Sequence, residues 1–306
     1  MMKKNWDSVP QKVSFIIVNY NSSDLTEQCV MSIQQHIKME YEIIVVDNAS
    51  SKKDYDNLRL RMPSFVQIIR SKLNSGMGGG NLLGANFANG DYFCFINSDV
   101  IFTEDCVSPL CSYLEENPHV GCITPQQYSP DGRKISSFGH NNGLRFEIFK
   151  DRIFEILFPK RFPTRNIQTE PIIVNQINGC FMLLPAPAFW QAGGFDTNIF
   201  LYCEEYDLAT RLRRIGLQSV VHPCYRYTHL GSSSTKKLSK SIVRREDYIS
   251  RLYVYRKHHG LLISLLYQLV LIVKVLVNPH KWNMLDVVFR GEALSISMKH
   301  QLKGVS

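Results

Sequence analysis

The chain has 306 residues, 44% of them hydrophobic and 20% charged, with 18 Gly and 13 Pro, which suits one large domain or two modest ones and excludes disordered, collagenous and coiled-coil chains. The formal charge of +8 is unevenly placed: residues 1–227 carry 22 basic and 23 acidic side chains, residues 228–306 carry 13 and 4. The positive charge is therefore C-terminal, where it suits either nucleic acid or an anionic membrane surface.

Val13 to Val18 is a short apolar, β-rich run followed by polar Asn19-Tyr20-Asn21 and then by Leu25, Cys29 and Ile33 at helical spacing, which predicts strand, loop and helix. Tyr41 to Val46 predicts a second buried strand ending at Asp47-Asn48-Ala49-Ser50, and Val66 to Ile69 a third. Asn74 to Asn81 reads as a glycine-rich turn leading into a helix of small residues, and Asp91 to Ile96 as a fourth strand. This alternation predicts a mostly parallel α/β sheet flanked by helices. From about Tyr128 to Thr169 the pattern weakens into loops; Ile172 to Val174 and Phe181 to Leu184 resume strand character. Pro187 to Gly193 suggests a short helix, Tyr202 to Ile215 a clearer one ending at Gly216, and Gln218 to His222 a further strand.

The eight cysteines form no C-x-x-C pair and no Cys/His cluster at zinc spacing, so free thiols are expected. Met1 to Lys12 is polar and lacks the apolar core of an export signal, and with free thiols this points to a reducing cytoplasm.

Ligands of parallel α/β sheets bind outside the carboxyl ends of the strands. Four polar clusters fall there: Asn19–Asn21, Asp47–Ser50, Asn74–Asn81 and Asn97-Ser98-Asp99. Each alone would pass for an ordinary turn, but together they predict a nucleotide cleft. Asp99 ends a strongly apolar strand, which projects its carboxylate into the cleft, where Mg²⁺ or Mn²⁺ would suit it with diphosphate oxygens and water completing the shell. A helix-capping role is the alternative. Glu204-Glu205-Tyr206-Asp207 opens a helix in which Glu205 shares a face with Leu208, Ala209 and Leu212. That places a general base at the cleft wall, or a surface charge favoured by the helix dipole. Asp207 and Arg211, at i and i+4, predict a supporting ion pair. His229 is either structural or an imidazole completing coordination at Asp99. The run Gly76-Met77-Gly78-Gly79-Gly80 is no dinucleotide fingerprint, because its sixth position is Asn81 and it follows the third strand. Its backbone N–H groups can still approach a ligand closely.

These residues resemble the bacterial family 2 glycosyltransferases of GT-A fold, in particular the rhamnosyltransferase-like branch that builds cell-surface polysaccharides. The likeness covers roughly residues 12–232 in seven blocks, in the family's order: Ile17–Asn21, Val45–Ser50, Asn74–Asn81, Phe95–Val100, Gly193–Asp196, Phe200–Leu208 with Arg211, and His229–Ser233. The resemblance implies that Tyr20 and Asp47 hold the nucleotide base or ribose, with Asn19, Asn21, Asn97 and Arg211 in the same nucleotide-sugar site. Asn74, Gly76, Gly79 and Asn81 would line the donor site, and Asp99 would bind metal and diphosphate. Glu205 would be the catalytic base, Glu204 and Asp207 would place it, and His229 would be a metal or diphosphate ligand. Two departures stand out. The family's D-x-D is Asn97-Ser98-Asp99, with one carboxylate, and its Glu-Asp pair is Glu204-Glu205, so either carboxylate can act.

The implied reaction is inverting transfer of a sugar, with rhamnose from dTDP-rhamnose as the leading donor, to a saccharide or lipid-linked acceptor in O-antigen or capsule synthesis. A nucleotidyltransferase would want a basic glycine-rich signature after the first strand, which Asn19–Asn21 does not supply. A non-catalytic carbohydrate-binding or scaffold relative is the other alternative, and the presence of Asp99, Glu204 and Glu205 speaks against it.

Residues 236–257 contain eight Lys/Arg against Glu246 and Asp247, and Leu261 to Val277 is a 17-residue run with one charge, Lys274. A span needs about 20 apolar residues, so an interfacial or buried helix is expected. Basic residues beside an apolar face suit an anionic cytoplasmic leaflet, where a lipid-linked acceptor would be found; packing on the catalytic domain or a second copy is the alternative. The tract lacks the interleaved aromatics of a nucleic-acid motif, so no nucleic-acid partner is expected. The expected organisation is a catalytic domain over 1–232, with a nucleotide-sugar half over about 12–127 and an acceptor half over 128–232, and a helical region over 233–306 at the cytoplasmic face of the inner membrane. A homo-oligomer is left open.

Overall fold

The computed structural model describes residues 11–301 apart from 141–143, 145–147, 150, 160–161, 163–167, 232–239 and 292–293. Ser233 of the last family block, and the basic pair Lys236-Lys237, lie outside the described residues.

The frame is set by β1 (Lys12–Asn19), whose residues from Val13 onward are all buried. β2 (Glu40–Asn48) pairs with it in parallel, and β3 (Gln67–Ser71) extends the parallel set beyond β2. On the other side lies β4 (Tyr92–Asn97), also parallel. β5 (Val100–Ile101), β6 (Val120–Tyr128), β7 (Phe181–Pro185) and β8 (Gln218–His229) complete the order β3-β2-β1-β4-β7-β6-β8-β5, with two short strands at β6 and β8. β7 runs antiparallel to both β4 and β6, so a return strand interrupts the expected parallel sheet.

Period-2 alternation sorts the core. Phe15 and Ile17 face α1 (Ser23–His36), α2 (Lys52–Arg61) and α4 (Val107–Glu116), in a cluster with Cys29, Ile33, Leu58 and Leu110. Ile16 faces the other way, toward α3 (Gly76–Ala85) and α5 (Glu204–Arg214), in a cluster with Phe93, Phe95, Ala85, Leu208 and Leu212. The sequence reading assigns neither α4 nor β6. It also ends the last strand at His222, whereas β8 shifts register between His222 and Arg226, around Pro223, and continues to His229 beside Val100.

The glycines expected in a turn belong largely to the helix. Gly80 and Gly84 let α3 lie against β1: a Cβ at Gly84 would sit 2.5 Å from Ile16 Cγ2, and one at Gly80 2.9 Å from Val18 Cγ2. Gly76, at φ +77°, meets the backbone of Phe200, whose carbonyl accepts the Met77 N–H at 3.1 Å. All eight cysteines are free, and only Cys224 is exposed.

At the C-terminus, α6 (Lys240–Leu276) bends at Gly260, where φ is 78° and ψ 177°. Its first segment packs Val254 against Ile199, Cys203 and Tyr206, at and just before the start of α5. The second packs Tyr267, Leu271 and Val275 against α7 (Leu285–Arg290), and Tyr255 stacks on Tyr267 across the bend at 4.0 Å.

Because helix and strand touch at Gly84, Gly84→Ala is expected to lower stability by about 1–3 kcal/mol through overpacking. Gly139→Ala, where nothing lies within 4 Å of a new Cβ, should change it by under about 0.5 kcal/mol. Urea unfolding of both variants checks the contrast.

Candidate active site

Strand register assembles the donor end. Asn19 of β1 lies beside Asp47 of β2, and Asp47 beside Arg70 of β3. Asn19 is fully buried and donates to Asp47 Oδ1 (3.2 Å), Ser50 Oγ (3.1 Å) and Asp54 Oδ2 (3.0 Å), while its carbonyl accepts from Ser22 and Thr26. It is a cross-link between loops. Asp47 Oδ2 makes no hydrogen bond and faces the Arg70 guanidinium at 3.5 Å; burial pushes its carboxyl above the usual range despite its partners. Arg70 in turn lies 3.9 Å from the centre of the Tyr55 ring. Neither Arg70 nor Tyr55 is in the expected set, although Arg70 ends its strand level with Asp47.

Tyr20 is half-buried beside this cluster, and Asn21, at φ 54°, accepts the Ser51 N–H. Asn48 organises the next loop, donating to Asn74 Oδ1 (3.0 Å) and Gly76 O (3.0 Å) and accepting from Ser75 N (3.0 Å). Gly79 packs under Ser75, and Asn81 is buried with its Oδ1 unbonded.

A pocket of about 350 Å³ opens at the end of β4, lined by Met77, Asn97, Gln127, Asn178, Gly179, Glu204, Glu205 and His229. His229 Nε2 lies 3.0 Å from Asp99 Oδ1, and its Nδ1 lies 3.2 Å from Gln127 Nε2. β8 reaches this point because it runs past Pro223. Among the described residues no three His, Cys, Asp or Glu side chains converge on a metal position; Asp99 and His229 are a pair.

Glu204 is buried with Oε2 unbonded, and Glu205 accepts from Gln176 Nε2 at 3.0 Å. Burial pushes both carboxyls up, and the charge of Glu205 raises Glu204 further. Two carboxyls raised by burial in one helical turn resist carrying two negative charges together, so the pair holds a proton to higher pH than a free carboxyl does. Gly179 lets the chain come close, its would-be Cβ lying 3.8 Å from Glu204 Oε1 and 3.8 Å from Glu205 Cδ.

A family sequence model, Glycosyl transferase family 2, matches residues 14–190, more than half of the chain. The chain belongs to glycosyl transferase family 2. It is 24% identical over 174 residues to the rhamnosyltransferase WbbL of Escherichia coli, covering 56% of this chain and 64% of that protein. It is 22% identical over 264 residues to an N-acetylglucosaminyl-diphospho-decaprenol L-rhamnosyltransferase of Mycobacterium tuberculosis, covering 80% and 84%. Several other curated relatives are longer: the chain spans 61% of an uncharacterised glycosyltransferase of Haemophilus influenzae and 33% of a polypeptide N-acetylgalactosaminyltransferase of Xenopus tropicalis. Among solved structures, a mannosyltransferase of Pyrobaculum calidifontis in complex with GDP-mannose and Mn²⁺ aligns with a TM-score of 0.56 at 14% identity, over 96% of this chain and 90% of that one. GalNAc-T7 with UDP, GalNAc and Mn²⁺ also aligns at 0.56, with 16% identity over 84% and 52%. The fold is GT-A, a mixed, mostly parallel sheet flanked by helices.

In this family 2 chain Asp207 lies behind the pocket. Fully buried, it takes Arg211 Nη2 (2.6 Å) on Oδ2 and both Lys257 Nζ and His258 Nε2 (2.7 Å each) on Oδ1. Burial alone would raise its carboxyl, but the His258 hydrogen bond and the Arg211 and Lys257 charges outweigh that and hold it far below the usual range. Arg211 also donates to Ala192 O, so its guanidinium is committed to this network and not to the strand-end cleft. Tyr202 and Cys203, just before α5, both have positive φ, 66° and 67°. Ser250 of α6 holds that turn through Leu201 O at 2.8 Å, and Tyr253 and Lys257 grip Asp196 at 2.8 and 2.7 Å.

Two predictions follow from these charges. Asp207→Asn leaves Arg211 and Lys257 short of their anion and weakens the His258 hydrogen bond, and should lower stability by about 3–5 kcal/mol at neutral pH. Because its folded carboxyl is depressed, that contribution is present above about pH 4 and is lost only as pH falls further, so the gap from wild type should close below that value in denaturation curves. Glu204 behaves oppositely. Its folded carboxyl is raised, to about 8, so the wild type forfeits stability as pH climbs from about 4.3 through that value; Glu204→Gln should match wild type near pH 4 and melt progressively higher until the gap levels off above about pH 8.

Proposed function

We propose that the chain transfers a sugar from a nucleoside-diphosphate sugar to a hydroxyl of a saccharide or lipid-linked acceptor, with inversion at the anomeric carbon. The observation that carries this reading is the meeting of Glu204, Glu205 and His229 in one pocket at the carboxyl end of β4. The carboxylate of Asp99 is buried behind His229, 3.0 Å from its Nε2, and does not line the pocket as its place at the strand end predicts. Glu205 takes the proton of the acceptor hydroxyl as that oxygen bonds to the anomeric carbon. The bond from that carbon to the diphosphate breaks on the opposite face, and its electron pair leaves with the nucleotide. Burial and mutual repulsion disfavour a second negative charge on the Glu204–Glu205 pair beside the reacting centre.

The nucleotide would lie across the strand ends, with Asp47, Arg70 and Tyr20 at the base or ribose and the loop from Asn74 to Met77 against the donor. Asp99 and His229 are a hard carboxylate and an imidazole in contact, a donor set that fits Mg²⁺ or Mn²⁺ with diphosphate and water filling the rest of the shell. When bound, the ion neutralises charge on the departing diphosphate. Coordination through Nε2 requires the ring proton on Nδ1, and the Gln127 amide, turned to present its carbonyl, would accept it. The two rhamnosyltransferase relatives favour a rhamnosyl donor, and the second of them favours a lipid-linked acceptor.

The C-terminal region supports a peripheral position at an anionic cytoplasmic membrane face. α6 contains a window apolar enough by length and composition to cross a membrane, of which 22% is buried. Beyond the bend, however, Leu261 to Leu276 would extend about 24 Å at 1.5 Å per residue, short of a hydrocarbon core of about 30 Å. An interfacial seat follows.

Glu205→Gln is expected to lower kcat by about 10²–10⁴-fold while donor-induced thermal stabilisation persists, whereas Asp99→Ala should abolish the metal-dependent part of that stabilisation. A panel of nucleotide sugars with and without Mn²⁺ reads both. Near-normal transfer by both the Glu204→Gln and Glu205→Gln variants would overturn the base assignment.

A further inference from the structure

Beyond the Gly260 bend, α6 exposes Leu262, Leu265, Leu266, Leu269 and Val273, one turn apart along a single side, and Phe289 of α7 is exposed as well. At the head of this stripe a pocket of about 250 Å³ is lined by Leu252, Arg256, Ser264, Leu265, Gln268, Arg290 and Gly291. We propose that this pocket holds the phosphate of an anionic glycerophospholipid whose acyl chains lie along the leucine stripe.

Three observations carry it. Two guanidinium groups from different elements, Arg256 of α6 and Arg290 at the end of α7, line one small pocket, and the planar guanidinium is the side chain best matched to phosphate oxygens. Arg290 makes no hydrogen bond or ion pair among the described residues, and Asp286, on its own helix, is committed through both oxygens to Arg245. The polar wall is built in place: Gln268 donates to Val288 O (2.8 Å) and Phe289 O (3.3 Å), which fixes the turn that carries Arg290. Gly291, at φ +75°, permits that turn, and a Cβ there would come within 3.2 Å of Gln268 Oε1.

Leu265 belongs to both the pocket and the stripe, so the anionic and the apolar sites are continuous, as the two ends of one amphiphile require. None of the pocket's residues lines the Glu204–Glu205 pocket, which separates the site from the sugar-transfer chemistry. The inference rests on the interfacial seat proposed for α6.

The test is co-sedimentation of the full chain with phosphatidylcholine vesicles, with and without phosphatidylglycerol, at low and high salt. Arg256→Gln/Arg290→Gln is compared with Lys240→Gln/Arg244→Gln, which removes equal charge from exposed positions outside the pocket. Diffuse attraction is screened by salt, so at high salt the pocket pair should weaken binding to phosphatidylglycerol vesicles by about tenfold and the control pair by under about twofold. Arg290→Gln alone, at an exposed side chain with no hydrogen bond or ion pair among the described residues, should show part of the loss with a Tm within about a degree of wild type. Leu262→Glu/Leu266→Glu should abolish binding to every vesicle.

Equal behaviour of the two double variants at high salt would overturn the phosphate site while leaving the membrane seat standing. Absence of vesicle binding by the wild type would overturn both. An effect confined to vesicles doped with polyprenyl phosphate would assign the pocket to the acceptor instead, and release by millimolar inorganic phosphate would make it a free-phosphate site.

Discussion

A single carboxylate without solvent contact, that of Asp207, meets Arg211, Lys257 and His258, and the placement of α5, which carries Glu204 and Glu205, depends on that meeting. A buried charge is tolerable only when paired and hydrogen-bonded, so α5 and the first segment of α6 are obliged to lie together. Glu204 and Glu205 sit in the same helical turn as Asp207 and are placed by the same constraint. The turn before them is strained, with two consecutive left-handed residues at about 1–3 kcal/mol each; Ser250 holds it through Leu201 O, while Tyr253 and Lys257 hold Asp196 upstream of it. The C-terminal helix α6 is in this respect a supporting wall of the Glu204–Glu205 turn.

Much of the donor end was legible in the sequence because it depends on neighbours in a parallel sheet. The apolar runs ending at Asn19, Asp47 and Asn97 place those residues at one end, and the observed register sets Asn19 beside Asp47 with no help from distant packing. What remained hidden depends on contacts far apart in the chain. Asp207 and Arg211 read as a helix-surface pair, but their second face is completed by residues some 50 positions later. β6 carries Gly121 and Pro125 and ends in Gln126-Gln127-Tyr128, which breaks its apolar signal, yet β8 pairs along its whole length. Pro223 ends the apolar run of β8, although the strand resumes beyond it and delivers His229 to Asp99.

The replacement of a second aspartate by Asn97 changes what holds charge near the diphosphate. On the proposed reading, with one carboxylate at the strand end the imidazole of His229, 3.0 Å from Asp99, would be the nearest additional ligand, and its other nitrogen faces Gln127. The Gln127 carbonyl also receives Tyr227 and Cys180 at 3.4 Å each. Metal affinity would then be coupled to the orientation of one buried amide, since turning the carbonyl to His229 gives up the Tyr227 and Cys180 hydrogen bonds. A second aspartate would bring a fixed charge and remove that coupling.

Consecutive residues of α6 belong to different tasks. Lys257 and His258 face Asp207, Arg256 lines the pocket beside the leucine stripe, and Gly260 then redirects the chain. A helix unbroken at Gly260 would carry the apolar stripe straight on from the catalytic domain. The bend folds it back against α7, where Tyr255 stacks on Tyr267. The stripe, the arginines and the buried ion cluster are therefore parts of one short rigid piece. On the proposed reading, seating that piece at a bilayer fixes the height and tilt of the Glu204–Glu205 pocket relative to the membrane. An acceptor tethered to that membrane then meets the base at a set distance, so orientation is supplied by the fold before the substrate arrives.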